Sequence, residues 1–373
     1  MSNLKQLLKE KCPNGVEYVK IGDVCTITKG KTPIQKAIPG EYPLVVTTSE
    51  HKSCNTYQFD NAAVCIPLVS SRGHGVASLN HVYFQSGKFA LGNILCAVIP
   101  NDEKKLSANY LYHYLEYKKD TLLVPLMKGG ANVSLHIDDI QRVKIPLPPL
   151  EVQLETIEIL DKFVELSEIL TKELFARQNQ YKYYRDLLLD FGVHGATSEC
   201  EWCTINDIAI KVASGKNKEK KQEGAYPVYG STGIIAYCDK FEYNKKQILI
   251  ARVGANAGYV HIADGEYDVS DNTLILDVKD SVIFEYIYYL LVNMNLNRFA
   301  KGGGQPLVTA GQIKEIKIPV PPIKEQKRIV SILDRFDKLC NDISEGLPAE
   351  IEARRKQYEY YRDKLLSFEE VKV

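Results

Sequence analysis

Two stretches of the chain repeat each other. VKIPLPPLEVQLETIEILDKF (143–163) aligns without gaps with IKIPVPPIKEQKRIVSILDRF (316–336) at an offset of 173, with 10 of 21 positions identical. LTKELFARQNQYKYYRDLLLDF (170–191) aligns with LPAEIEARRKQYEYYRDKLLSF (347–368) at an offset of 177, with 13 of 22 identical. The second copy therefore carries four extra residues between its two blocks. Upstream the similarity thins: EYVKIGDV (17–24) parallels EWCTINDI (201–208), and LMKGGANVSLHIDDI (126–140) parallels FAKGGGQPLVTAGQI (299–313). Each half is a variable block followed by a closely matched one. A period this long is a domain duplication rather than a solenoid. The start, LKQLLKEKCPNGVEYV, matches residues 184–203 in layout. The halves thus close into a ring with pseudo-two-fold symmetry.

The matched blocks read as helices. I-P-x-P-P is extended, because proline fixes φ and pushes the residue before it out of the α region. After it, residues 151–190 run without Pro or Gly and are rich in Leu, Glu, Lys and Gln, all good helix formers. Leu174, Tyr181 and Leu188 recur at sevens, as do Ile351, Tyr358 and Leu365, which lays an apolar stripe on one face. A helix of this length spans about 60 Å and needs a partner for its stripe. The other copy, antiparallel by the pseudo-symmetry, is the expected partner. Gly346 and Pro348 fall in the insertion, so the second copy is expected to bend or break there.

The variable blocks read as mixed α/β. Strand-like runs such as QILIARV (247–253) and YDVSDNTLILDV (267–278) are broken by Gly, Asn and Asp, as turns require. NYLYHYLEY (109–117) and FEYIYYLL (284–291) suit a helix packed on a sheet, and each block ends in a Gly-rich turn, KGGAN or KGGGQ.

Composition excludes several classes. Lys plus Arg and Asp plus Glu both number 47 among 373 residues, so bulk electrostatics alone does not make this chain grip nucleic acid. No apolar run reaches the roughly 18 residues of a membrane span, and MSNLKQLLKEKCPNG lacks the apolar core of a secretory signal. A cytoplasmic location is expected. The nine cysteines read as small buried thiols. Cys200 and Cys203 form a C-x-x-C with no second ligand pair spaced for a metal, so no metal site is expected.

No catalytic set emerges. Gly30-Lys31-Thr32 follows Cys25 where a phosphate loop needs glycine, and neither H-E-x-x-H nor G-x-S-x-G occurs. The N/D-P-P-Y/F of an amino-methyltransferase is absent too. Glu103-Lys104-Lys105 gives an E-x-K, a tripeptide common by chance.

Residues suited to nucleic acid sit in loops. KVASGKNKEKK (211–221) concentrates five lysines, Lys216, Lys218, Lys220 and Lys221 among them, and Lys29, Lys31 and Lys36 fall at a similar place in the first half. Gly-rich loops offer Arg72 and His74, Ser231 and Thr232, and Arg252 and Asn256, while the terminal turns offer Lys128, Asn132, Lys301 and Gln305. Such groups read base edges, whereas lysine mainly holds phosphate. Gly-rich turns with polar tips also occur on any β-rich domain. The Tyr-x-Tyr-Tyr-Arg-Asp segments contribute Tyr181, Tyr184, Arg185, Tyr358, Tyr361 and Arg362, as helix-pair core or as a docking surface for another subunit.

A duplicated half made of a variable α/β block, I-P-x-P-P and a helix ending in QYxYYRDxLL resembles the specificity subunit of type I restriction-modification systems. CPNGVEYVKIGDVC (12–25), ARVGANAGYV (251–260), VSDNTLIL (269–276) and GGGQPLVTAGQIKEIKIPVPP (302–322) share the resemblance, which covers essentially the whole chain.

The resemblance implies an α/β (α+β) fold with two globular target recognition domains, 1–148 and 192–321. Two long antiparallel helices, 149–191 and 322–373, would separate them as a coiled coil. Each domain would read one half of a bipartite, asymmetric target in double-stranded DNA. The helices would set the spacing and dock two methyltransferase (modification) subunits, with restriction/helicase subunits joining. The chain itself would be non-catalytic and bind no cofactor, S-adenosylmethionine and ATP residing on the partners. Two rivals remain at this point: a coiled-coil scaffold with two protein- or carbohydrate-binding domains, and a member with a fused methyltransferase or nuclease, for which the chain is too short.

Overall fold

The chain is described by a computed structural model covering residues 2–48, 50–192, 200–218, 221–302 and 304–371. It divides into two units, Met1–Leu170 with Ile351–Val373, and Thr171–Glu350. Each unit therefore owns one variable block and draws helical segments from both matched copies.

In the first unit, Cys25–Lys29, Leu95–Pro100, Ala63–Pro67 and Tyr83–Gln85 form a four-stranded antiparallel sheet in that order. A second sheet runs Lys52–Cys54, Tyr42–Val45, Lys88–Leu91 and Phe59–Asp60. The expected helix is present as Ala108–Leu122 and buries Tyr110, Leu111 and Leu115. These pack with Val64, Ile66 and Val98 of the first sheet. Complete burial of each such side chain contributes about 1.5–3 kcal/mol.

The second unit repeats this plan. Ala209–Ser214, Thr273–Val278, Gln247–Ala251 and Val260–Ala263 form one sheet, and Gly233–Cys238, Tyr226–Gly230 and Asp268–Val269 another. The helix Phe284–Asn293 buries Tyr286, Ile287, Leu290 and Leu291 against Ile248, Ile250, Leu274 and Leu276.

The I-P-x-P-P segments begin as strands. Lys144–Pro146 pairs antiparallel with Tyr18–Lys20, and Lys317–Val320 with Glu201–Thr204. The prolines then turn the chain into helix. The first copy is one helix, Leu150–Leu189. The second is broken into Ile323–Asn341 and Leu347–Leu365, as Gly346 and Pro348 lead one to expect. The Asp342 carboxylate accepts from the backbone N–H groups of Ser344 and Glu345 at 2.7 and 3.2 Å, which shapes the break.

Helix pairing is equivalent in the two units. In the first, Phe163 lies 5.4 Å from the Tyr361 ring and 6.4 Å from Tyr358. In the second, Phe336 lies 6.1 Å from Tyr181 and 5.7 Å from Tyr184. Beyond that contact, Leu188 and Leu189 join Ile329 and Leu333 in the core. Numbers rise on one segment as they fall on the other, so the pair is antiparallel. Leu365 and Leu366 fill the matching place in the first unit.

The chain ends meet inside the first unit. Val16 donates to the Glu369 carbonyl at 2.8 Å, Val371 donates to Val16 at 3.1 Å, and the Tyr18 hydroxyl donates to the Phe368 carbonyl at 3.0 Å. This is the ring closure that the N-terminal similarity implies.

Candidate nucleic-acid interface

In the second unit a network of main-chain bonds gathers the candidate loops. At the end of strand Ala209–Ser214, Gly215 donates to Thr273 at 2.9 Å and Asn217 to Val269 at 3.0 Å. Ser270 donates to Tyr229 at 2.9 Å, and Arg252 to Asn272 at 2.9 Å. Val308 donates to Arg252 at 2.8 Å, and Gly254 to Pro306 at 2.9 Å. Loops holding Lys216 and Lys218, Ser231 and Thr232, Arg252 and Asn256, and Lys301 and Gln305 are thereby joined, although up to 89 positions separate them in sequence.

The side chains differ in freedom. Lys216, Lys218, Thr232, Asn256, Lys301 and Gln305 are exposed. Arg252 is half-buried, and its Nη1 donates to Ser214 Oγ at 3.3 Å and to the Asp271 carbonyl at 3.4 Å. Ser231 Oγ donates to the Asn272 carbonyl at 3.5 Å. Lys221 is ion-paired with Asp239 at 2.7 Å. Lys220 lies outside the described residues.

The first unit builds the same arrangement from different residues. Gly30 donates to Leu95 at 2.9 Å, Leu68 to Ile94 at 2.8 Å, Leu135 to Leu68 at 2.9 Å and Ser70 to Val133 at 3.0 Å. This brings Lys29 and Lys31 into a continuous set with Arg72 and His74 and with Lys128 and Asn132. Gln58 staples the first of these loops, accepting from Lys31 N–H and donating to the Lys29 carbonyl, both at 2.9 Å. Ser70 Oγ donates to the Val76 carbonyl at 2.5 Å and holds the next loop, where His74 takes φ of 61°, a left-handed conformation uncommon outside glycine. The matching bonds put Leu68 where the second unit has Arg252. Lys29, Lys31, Arg72, His74 and Asn132 are exposed, while Lys128 pairs with Asp139 at 3.3 Å.

Two aromatic groups beside these loops were not evident from sequence. Tyr57, 46% exposed, carries Lys88 Nζ at 5.0 Å from its ring centre. Tyr259, 53% exposed, lies nearly parallel to His261, which in turn lies nearly parallel to Tyr229. Burial lowers the His261 pKa to about 4, so the ring is neutral near pH 7. Their signal was weak: single tyrosines in a chain with 23 of them.

The Tyr-Tyr-Arg-Asp residues are engaged within their units. Tyr181 and Tyr184 stack on Phe336, and Tyr361 stacks on Phe163 with Tyr358 tilted against the same ring. Arg185 bonds Asp186 at 2.8 Å and covers the Tyr181 ring, while Arg362 bonds Asp363 at 3.0 Å and lies over Tyr117 and Tyr358. Between them, Tyr183 and Tyr360 stand 64% and 58% exposed. Among the described residues no group of three or more His, Cys, Asp or Glu could hold a metal ion, and no helix is long and apolar enough to cross a membrane.

The model of the type I restriction modification DNA specificity domain matches the chain twice, at residues 13–176 and 198–353. The chain belongs to that family. It is 34% identical over 379 residues to a putative type I restriction enzyme specificity subunit of Haemophilus influenzae, covering 95% of this chain and 96% of that one. It is 35% identical over 301 residues to the EcoR124I/EcoR124II specificity subunit of Escherichia coli, covering 72% of each. The crystal structure of an S subunit from M. genitalium superimposes with a TM-score of 0.65 at 16% identity, over 96% of this chain and 98% of that one. The chain is thus a DNA sequence-recognition component of a type I restriction-modification complex, with the mixed α/β, twice-repeated fold of the family.

Proposed function

We propose that each unit reads one half of a bipartite, asymmetric DNA target. The observation that carries this is one main-chain framework built twice and carrying unlike loops: Arg72, His74 and Asn132 on one, Arg252, Asn256 and Gln305 on the other. Equal frameworks with unequal side chains suit two unlike half-sites, since base edges are read by side-chain chemistry while the backbone is held by charge. The test is methylome sequencing of the host with and without the gene. Loss of one split, non-palindromic methylated motif supports the reading; loss of a palindrome or of no motif rejects it.

In this reading the chain is non-catalytic. S-adenosylmethionine, ATP and the chemistry of transfer and cleavage belong to two modification subunits and to restriction/helicase subunits. Methyl transfer by the highly purified chain alone would refute this. The docking points are Tyr183 and Tyr360, equivalent at the 177-residue offset and exposed on their helices. The neighbours Tyr181, Tyr184, Tyr358 and Tyr361 hold the helix pairs together. Tyr183→Ala with Tyr360→Ala should weaken capture of the modification subunit while leaving the melting temperature nearly unchanged. An unchanged affinity would place docking elsewhere.

A further inference from the structure

The two units differ in charge where their Gly-rich terminal turns meet the I-P-x-P-P strands. In the second unit a cleft of about 670 Å³ is lined by Arg298, Lys301, Gln312, Glu315 and Lys317, with Phe299 beside them. Arg298 lies over the Phe299 ring, 4.8 Å from its centre. None of the three cations has an ion-pair partner among the described residues. Gln312 is neutral and committed to the backbone: its Oε1 accepts from Thr309 N–H at 2.8 Å and its Nε2 donates to the Phe299 carbonyl at 3.0 Å.

At the 173-residue offset, the first unit has Lys128 for Lys301, Lys144 for Lys317, and Asp139 for Gln312. Asp139 pairs with Lys128 at 3.3 Å and with Arg142 at 3.9 Å, and Glu370 pairs with Lys144 at 3.4 Å. Asp138 stands in place of Gly311, and Pro125 in place of Arg298. So the first unit answers its cations with carboxylates, while the second leaves three of them facing a cleft with Glu315 alone opposed. Unpaired cations gathered in one concavity repel one another, and an anionic ligand relieves that cost.

We propose that this cleft of the second unit grips the phosphate backbone of duplex DNA, and that the corresponding place in the first unit does not. The electrostatic hold on the target is then unequal between the half-sites. The proposal rests on the DNA-recognition reading and assigns its phosphate contacts.

The test is the salt dependence of DNA binding by the complex of this chain with its modification subunits, since each phosphate neutralised adds about 0.9 to the slope of log affinity on log salt. The triple variant Arg298→Gln, Lys301→Gln, Lys317→Gln should weaken cognate and random duplexes alike and flatten the slope by roughly 2–3. The triple variant Lys128→Gln, Arg142→Gln, Lys144→Gln should change it by less than about 1. Asp139→Asn, which frees Lys128 and Arg142 without removing a cation, should steepen it, and this arm does not depend on the triple variants folding. Equal flattening by the two triples, or an unchanged slope in the first with DNA still bound, would overturn the proposal. Failure of the wild-type complex to bind duplex DNA would overturn it together with the reading beneath it.

Discussion

Gln153 and Gln326, 173 positions apart, make the same buried joint in their two units. The Gln153 Oε1 accepts from Ser107 N–H at 2.9 Å, and its Nε2 donates to the Lys105 and Pro148 carbonyls at 2.8 and 2.7 Å. The Gln326 Oε1 accepts from Ile283 N–H at 2.8 Å, and its Nε2 donates to the Pro321 carbonyl at 2.8 Å. Each amide ties the helix after I-P-x-P-P to the segment that starts the helix on the sheet. Both side chains are buried, so the bonds have no water to replace them.

Gln153→Leu or Gln326→Leu keeps the bulk and orphans a buried N–H and at least one carbonyl. Each unsatisfied group costs about 1–3 kcal/mol, so either variant should lose roughly 2–6 kcal/mol in urea unfolding. A loss below about 0.5 kcal/mol, typical of surface substitutions, would show that the joint is not structural.

Acid should destabilise the second unit through His261. Its folded pKa, lowered to about 4 by burial, lies below the unfolded value of about 6.5. Above pH 6.5 the ring is neutral in both states and has no effect. As pH falls from 6.5 towards 4, the unfolded chain takes up a proton that the folded ring refuses, and stability drops. The slope limit is about 1.4 kcal/mol per pH unit, and roughly half of that is expected for a ring partly open to solvent. Melting curves at pH 7 and pH 5 should converge less for the wild type than for His261→Phe. Parallel losses in both proteins would assign the acid sensitivity elsewhere.

Arg252 and Asn256 share a loop but have different roles. Arg252 ties its own loop to Ser214 and Asp271, so Arg252→Ala should blur several base positions of one half-site. Asn256 is exposed, and Asn256→Ala should relax one base position by about 1–3 kcal/mol of discrimination. Methylated motifs report both. A change in the other half-site, or none in either variant, contradicts the assignment.

The helix Leu150–Leu189 is continuous across the division between the units at Leu170 and Thr171. Four residues inserted beside Thr171 add about 6 Å of rise, close to two base pairs at about 3.4 Å each. The unread gap in the target should lengthen while both half-sites stay the same. The same insertion beside Gly346 should matter less, because the chain already breaks there between Asn341 and Leu347. Modification at the original gap by the Thr171 variant would mean that this helix does not set spacing.

Much of this was legible because duplication turns one observation into two. The paired offsets led to the antiparallel packing of the two copies, and Gly346 with Pro348 marked the break in the second; the contacts of Phe163 with Tyr361 and of Phe336 with Tyr184 came only with the structure. Sheet order was not legible, since Lys88–Leu91 lies parallel to Tyr42–Val45 across 42 intervening positions and no local pattern encodes such a pairing. Nor was the inward side of the tyrosine segments, where Tyr181 and Tyr184 pack and Tyr183 points out. The loop residues were chosen by chemistry alone; that Arg252 is anchored to Ser214, and that Lys128 is answered by Asp139, depends on partners brought from elsewhere in the chain.

The central claim is that each unit reads its own half-site. Its most direct test exchanges residues 200–322 for the corresponding block of the Haemophilus influenzae relative and sequences the methylome produced with the native modification subunit. One half of the motif should be replaced, with the other half and its methylated base kept. A motif altered in both halves, or unaltered in either while modification persists, would contradict the account.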